Sequence, residues 1–399
     1  MQIVQVSTKK QIKQFLNVVS LIYKNDKYYV RPLDDSIDEI FDPKRNEFFQ
    51  YGEAVRFLAI DDKGCPVGRV GAFVNKKKAF GFDQPTGGMG FFECINNQDT
   101  AFLLFNAAKN WLLERGLKAM DGPINFGEND NYWGLLVDGF THPGIGMQYN
   151  PPYYREFFEN FGFTNYFEQV SNHLDLTKEF PERFWKIAER ITNKPEYQFK
   201  HFRWEESEKF IADFVKVYND AWQFHENFAP MDPKTLRKSL NDSKSFMVDE
   251  MIWFVYHNNE PVAFLVMFPD INQILKHLNG KIHIINKLRY VYLKWNKTIT
   301  RARIIIMGVA PHYQRLGLES GIFWHLNEVM KKMPHITELE LSWVGDFNPR
   351  MRALHESVGA TFAKRHITYR YIFDDEQRNA KRATAIPLDP RIKVNQEET

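Results

Sequence analysis

The chain has 399 residues, 44% of them hydrophobic and 15% aromatic, with a formal net charge of +2. That is enough apolar side chain for two domains of ordinary size, while the near-neutral charge argues against a nucleic-acid binder held by phosphate neutralisation. Two cysteines, Cys65 and Cys94, exclude a disulfide framework or a thiolate zinc site. No apolar run reaches the length of a membrane span and no basic–apolar–small-residue leader opens the chain, so a cytoplasmic protein with no metal is expected.

In chain order, Arg56–Ile60 and Val67–Val74 flank the polar turn Asp61–Gly64 and predict a hairpin. A strand follows at Gly90–Ile95. Asp99 or Thr100 then caps a helix with Leu103, Leu104, Ala107, Ala108, Trp111 and Leu112 as its apolar stripe. Asn96–Asp99, between that strand and helix, has no basic residue and no glycine, and Asp99 at the helix start repels phosphate. The Gly-, Asn- and Pro-rich segment from Asp121 to Tyr149 reads as either a wall of a substrate cleft or a structural loop. Asn150-Pro-Pro-Tyr-Tyr-Arg-Glu-Phe-Phe-Glu-Asn-Phe-Gly-Phe163 closes the first half.

Residues 174–200 read as a linker carrying an amphipathic helix at Phe184–Arg190. Phe210–Glu226 predicts the first helix of the second half. Ile252–Tyr256, the turn His257–Glu260 and Val262–Met267 repeat the hairpin layout of the first half. From Ile271 through Leu318 there is no Asp or Glu, while Lys276, Lys281, Lys287, Arg289, Lys294 and Lys297 are interspersed with Tyr290, Tyr292 and Trp295. Such a strip suits a coenzyme phosphate, an acidic carrier, an anionic membrane face or simply solvent. Next come the β-branched strand Arg303–Ile306, the turn Met307–Glu319, and a helix whose face is Ile322, Leu326, Val329, Met330 and Met333. A strand feeding a short basic, glycine-containing turn and then a helix aims free backbone N–H groups and a helix dipole at one point, which suits a diphosphate. The strand Glu338–Val344 and the Asn-initiated helix Asn348–Ala360 end the folded region. The second of these parallels Asn150–Phe163.

The run Val309-Ala-Pro-His-Tyr-Gln314-Arg315-Leu316-Gly317-Leu318-Glu319, followed by Asn348-Pro-Arg-Met-Arg-Ala-Leu-His355-Glu-Ser-Val-Gly359, resembles the coenzyme-A turn and closing segment of the GNAT superfamily of acyl-CoA-dependent N-acyltransferases. The resemblance implies an α+β (mixed α/β) fold of two tandem units, each a twisted, mostly antiparallel sheet flanked by helices. It gives a degenerate GNAT-like domain at 1–175, a linker at 176–205, a catalytic domain at 206–374 and a charged tail at 375–399. It further implies that acetyl-CoA or another acyl-CoA is the co-substrate, and that an acyl group, acetyl first among them, passes to the amine of a small molecule or peptide. Gln314, Arg315, Leu316, Gly317, Leu318 and Glu319 would hold the diphosphate, and Met307 and Val309, on a bulged strand, would meet the thioester.

Two departures stand out. Glu319 occupies a position where the family usually has a small residue, and His355 stands where many relatives carry the tyrosine that protonates the leaving thiolate. His355 is the candidate general acid, or else a buried helix histidine. Asn348 bonds the pantetheine arm, or else only caps its helix. Glu226 and Glu340 are weaker candidates for a base. An aminoacyl-tRNA-dependent transferase and a non-catalytic acyl-CoA- or peptide-binding module remain as alternatives.

Overall fold

A computed structural model describes residues 1–81, 84–127, 131–223 and 230–374; the charged tail from 375 lies outside them. The first half comprises β1 (Gln2–Gln5), α1 (Lys9–Ile22), α2 (Asp34–Ile40), β2 (Gly52–Ile60), β3 (Pro66–Asn75), β4 (Thr86–Cys94), α3 (Gln98–Leu113), β5 (Ala119–Gly122), β6 (Leu135–Asp138), α4 (Tyr154–Phe161) and β7 (Thr164–Asp175). The second comprises α5 (Glu182–Thr192), β8 (Tyr197–His201), α6 (Ser207–Trp222), α7 (Pro233–Ser243), β9 (Ile252–His257), β10 (Glu260–Pro269), α8 (Asn272–Leu275), α9 (Ile284–Trp295), β11 (Arg301–Val309), α10 (Leu318–Lys331), β12 (Glu338–Gly345), α11 (Pro349–Ser357) and β13 (Thr361–Ile372). Both expected hairpins form, β2–β3 and β9–β10, each antiparallel around its polar turn.

Two compact units result, and they do not follow chain order. The first holds Met1–Val170, Asn272–Asn296 and the described residues from Lys364; the second holds Ser171–Ile271 and Lys297–Ala363. Strand order in the first is β1-β2-β3-β4-β5-β13-β7, with β6 also on β13; in the second it is β7-β12-β11-β10-β9-β8. Residues 272–296 and β13, both within the bounds 206–374 expected for the second domain, therefore pack in the first unit. The contacts give the reason. β13 is antiparallel to β5, with Arg370 making paired 2.7 Å bonds to the Asp121 carboxylate. The Asn272 amide donates to the carbonyls of Pro143 and Gly144, and the Asp34 N–H to that of Gly280.

Each unit has its own core. In the first, Phe92, Phe105, Phe158 and Phe163 pack between α3, α4 and the sheet. In the second, the buried faces of α5 and α10 close on β9–β12 through Phe184, Ile191, Ile322, Phe323 and Leu326. Such apolar faces are what anchors a helix to a sheet.

Candidate functional site

In the second unit β11 and β12 run parallel and are paired over Arg301–Arg303 and Glu338–Glu340; beyond that they part, although β11 continues to Val309 and β12 to Gly345. On its other edge β11 stays paired with β10 as far as Val309 and Ala263, with a bulge between Val266 and Met267. The Ala310 N–H donates to the Val262 carbonyl at 2.9 Å. Alternation along a strand then turns the N–H groups of Met307 and Val309 the other way, into the gap that β12 leaves. The side chains of both are buried, so the backbone is what they offer the gap.

A short turn at Pro311–Tyr313 follows, and then Arg315 at φ 67° and Gly317 at φ 87° swing the chain into α10. No side chain caps α10. Its own ladder begins with Gly321 N–H to Gly317 carbonyl at 3.2 Å, which directs the amides of Leu318, Glu319 and Ser320 out of the positive helix end. A side chain at 317 is barred by the left-handed backbone and by Ile187, whose Cγ2 would lie 2.5 Å from an added Cβ. Arg315 and Leu316 are exposed. The turn therefore has the geometry that suits a diphosphate, with the Arg315 cation on it.

Gln314 links the turn to its surroundings. Its Nε2 donates to the Val309 carbonyl at 3.1 Å, and its Oε1 accepts from Arg350. Arg350, which the sequence reading missed, is thereby held beside the turn; its place one residue inside a capped helix gave no sign of this. Tyr313 meets His257 Nδ1 at 3.1 Å, bracing the turn against β9. Glu319 is half-buried in the first turn of α10. Burial pushes its carboxyl up, partly offset by a hydrogen bond from its own backbone N–H. Bonded in that way, the carboxyl occupies one of the amides an anion would use.

Asn348 caps α11, its side chain accepting from the Met351 N–H at 3.3 Å, and Pro349 follows at the first helical position. His355 is 3% exposed, and its Nδ1 lies 3.0 Å from the side-chain amide nitrogen of Asn172 on β7. An amide nitrogen donates, so Nδ1 accepts and the ring proton sits on Nε2. Burial pushes the imidazole down to about 4, which disfavours its protonated form. Glu340 is buried with Arg301 at 3.6 Å and Arg303 at 4.0 Å, while Arg301 also binds Asp270 at 2.8 Å. It belongs to an internal ion cluster at the point where β11 and β12 part. Glu226 lies outside the described residues.

The first unit repeats the gap and closes it. β4 and β5 are parallel over Thr86–Gly88 and Ala119–Asp121. The segment after β5 then continues alongside β4 in the same direction, with the Ile124 N–H donating to the Met89 carbonyl at 2.9 Å. A Cβ on Gly90 would lie 1.9 Å from the Ile124 carbonyl oxygen. Ile124, in the segment expected either to wall a substrate cleft or to be a structural loop, thus lies against β4 beside Gly90. α3 is capped by Asn97, which accepts from the Thr100 N–H at 2.8 Å. Nearby, Glu93 is buried against Arg69 (3.6 Å) and accepts from Tyr23 (2.7 Å) and Tyr154 (3.0 Å); burial lifts its carboxyl to about 7.

Parting parallel strands, a glycine turn and an uncapped helix meet within one stretch of the second unit. Residues 211–360 match the model of the Acetyltransferase (GNAT) family, a stretch that takes in most of the second unit. The chain is 26% identical to "Bacterial ceramide synthase" of Caulobacter vibrioides over 92% of this chain and 97% of that one. It is 25% identical to "Protein YghO" of Escherichia coli over 90% and 93% respectively. Among solved structures, a tandem GNAT protein from the clavulanic acid biosynthesis pathway superimposes with a TM-score of 0.56 at 10% identity, covering 94% of this chain and 98% of that chain. At that identity the likeness is one of fold.

Proposed function

We propose that the second unit moves an acyl group from coenzyme A to the primary amine of a long-chain amino alcohol. The single observation that carries acyl transfer is the gap between β11 and β12, with the amides of Met307 and Val309 turned into it and the uncapped end of α10 at its mouth. The acceptor rests on the relative named a ceramide synthase, a ceramide being the amide of such an amine with a fatty acid. That relative also widens the acyl group from acetyl to a longer chain.

On this reading the amides of Leu318 and Ser320, with Arg315 and Arg350, take the diphosphate, while the Glu319 amide is held by its own carboxyl and Leu316 and Gly317 shape the turn. The N–H groups of Met307 and Val309 receive the thioester oxygen as negative charge builds on it, an effect of about 3 kcal/mol for one well-placed donor. The amine nitrogen attacks the carbonyl carbon, the C–N bond forms and the C–S bond breaks. The nitrogen's proton passes through solvent to the leaving sulfur, whose pKa near ~8.5 lets it depart as thiolate. His355 positions β7 against α11 through Asn172 rather than supplying a proton, and Asn348 sets the start of α11.

The test is free-thiol release and amide formation, followed by mass spectrometry, with acetyl- and palmitoyl-CoA against sphinganine and short amines. Thiol release that requires both the acyl-CoA and the long-chain amine is expected. Coenzyme binding without turnover on any amine would overturn the transferase reading and leave a binding module. Turnover on short amines alone would overturn the acceptor.

A further inference from the structure

The helix α9 leaves its apolar face uncovered. Ile284, Ile285, Leu288, Val291, Tyr292 and Trp295 are each between 57% and 79% exposed. At 100° per residue they fall within an arc of about 120°, a single stripe. Lys287 and Lys294 border the stripe on one side and Arg289 on the other, all exposed. Asn286, on the opposite side, is the buried residue of the helix, its amide donating to the carbonyls of Leu278 (2.9 Å) and Lys281 (2.7 Å). His283 caps the start of the helix. The stripe is thus not a core face left uncovered by a poor fit, because the helix is fixed by its other side.

We infer that α9 docks this protein on an anionic lipid bilayer, lying in the plane of the interface. Its 12 residues are too short to span a hydrocarbon core, which needs about 20. Isoleucine, leucine and valine along the centre of the stripe suit the acyl-chain boundary, and Tyr292 and Trp295 suit the headgroup level. The flanking lysines and arginine reach lipid phosphates along their own apolar stems. Charge decides the occupant. From Ile271 through Leu318 there is no carboxylate to repel a phosphate surface, or to offset the cations of a second copy laid against the same face. A bilayer supplies apolar chains and negative charge together.

The full-length protein is sedimented with phosphatidylcholine vesicles containing about one third phosphatidylglycerol, and with phosphatidylcholine alone. Binding to the anionic vesicles is expected, weakening as salt rises. The double variant Leu288→Asp/Trp295→Asp should lose at least tenfold in partitioning, and Lys287→Glu/Lys294→Glu should lose the preference for phosphatidylglycerol. These side chains are exposed, so an unchanged melting temperature and unchanged coenzyme binding serve as the check that both variants fold. Failure of the native protein to pellet with anionic vesicles, or equal partitioning by the Asp double variant, overturns the proposal. So does a dimer in sedimentation velocity that this variant dissociates while vesicles bind neither form. None of these readouts depends on catalysis, so the proposal stands or falls apart from the acyl-transfer reading.

Discussion

The two units contain the same opening between parallel strands, and the chain uses it in opposite ways. In the first unit, Ile124 bonds to β4 where a ligand would lie, Gly90 admits that backbone, and Asn97 takes up the N-terminus of α3. In the second, β11 and β12 part with no comparable strand between them among the described residues, and Gly317 leaves α10 uncapped. A GNAT gap is therefore not a binding site by topology alone. It becomes one when the strand amides and the helix end are left for a ligand, and a structural element when the chain's own backbone and a capping asparagine use them.

The largest effects should come from the two glycines. Gly317→Val strains the left-handed turn and clashes with Ile187, and should weaken coenzyme A binding by about a thousandfold in calorimetry while the first unit stays folded. Gly90→Ala should do the reverse, lowering stability by roughly 2–4 kcal/mol in denaturant melts with coenzyme affinity retained. Loss of coenzyme binding in the Gly90 variant would break the comparison, as would two coenzyme molecules bound per chain.

The two buried titratable groups should give opposite pH slopes. Glu93, raised from 4.5 to about 7, stabilises the first unit below pH 4.5 and loses that contribution as pH rises to 7. His355, lowered from 6.5 to about 4, stabilises the second unit above pH 6.5 and loses that contribution as pH falls to 4. Each shift corresponds to roughly 3 kcal/mol. Hydrogen exchange resolved by unit, in Glu93→Gln and His355→Gln, should flatten one slope each. Parallel slopes in the native protein would contradict both assignments.

Arg350→Ala should cost about tenfold in coenzyme affinity, since it removes a cation beside the turn and the anchor of Gln314. Unchanged affinity would confine Arg350 to a structural role. Smallest is Glu319→Ala, which frees an amide and removes a carboxyl. It should tighten binding a few-fold, and more as pH rises and the native carboxyl ionises. Weaker binding in this variant would mean that Glu319 contributes to the site.

Much of this was legible from local pattern. Both hairpins, the strand–turn–helix at 303–333 and the Asn348 cap are short-range features, fixed by alternation, turn chemistry and the residues at helix ends. The illegible part is long-range. Nothing near Tyr369 or Arg370 says that they will pair with Gly122 and Asp121, because partner choice in a sheet depends on what remains unpaired elsewhere. The chemistry of His355 was hidden for the same reason. Its lowered pKa comes from burial, and its tautomer from Asn172, a residue far away in sequence. Glu340 reads as a strand carboxylate facing a cleft until Arg301, Arg303 and Asp270 surround it. The basic strip 271–303 gave away its charge but not its exposed stripe, which needs the helix bounds of α9 and the place of Asn286.

The interleaving of the units in the chain has a bearing on biosynthesis. Because α8, α9 and β13 complete the first unit, its sheet lacks the strand between β5 and β7 until residues beyond 360 have left the ribosome. The nascent N-terminal segment waits with the edge of β5 unpaired while the residues of the second unit are made, a period in which off-pathway pairing is the main hazard. A fragment cut at the apparent linker would carry the first unit's sheet without β13.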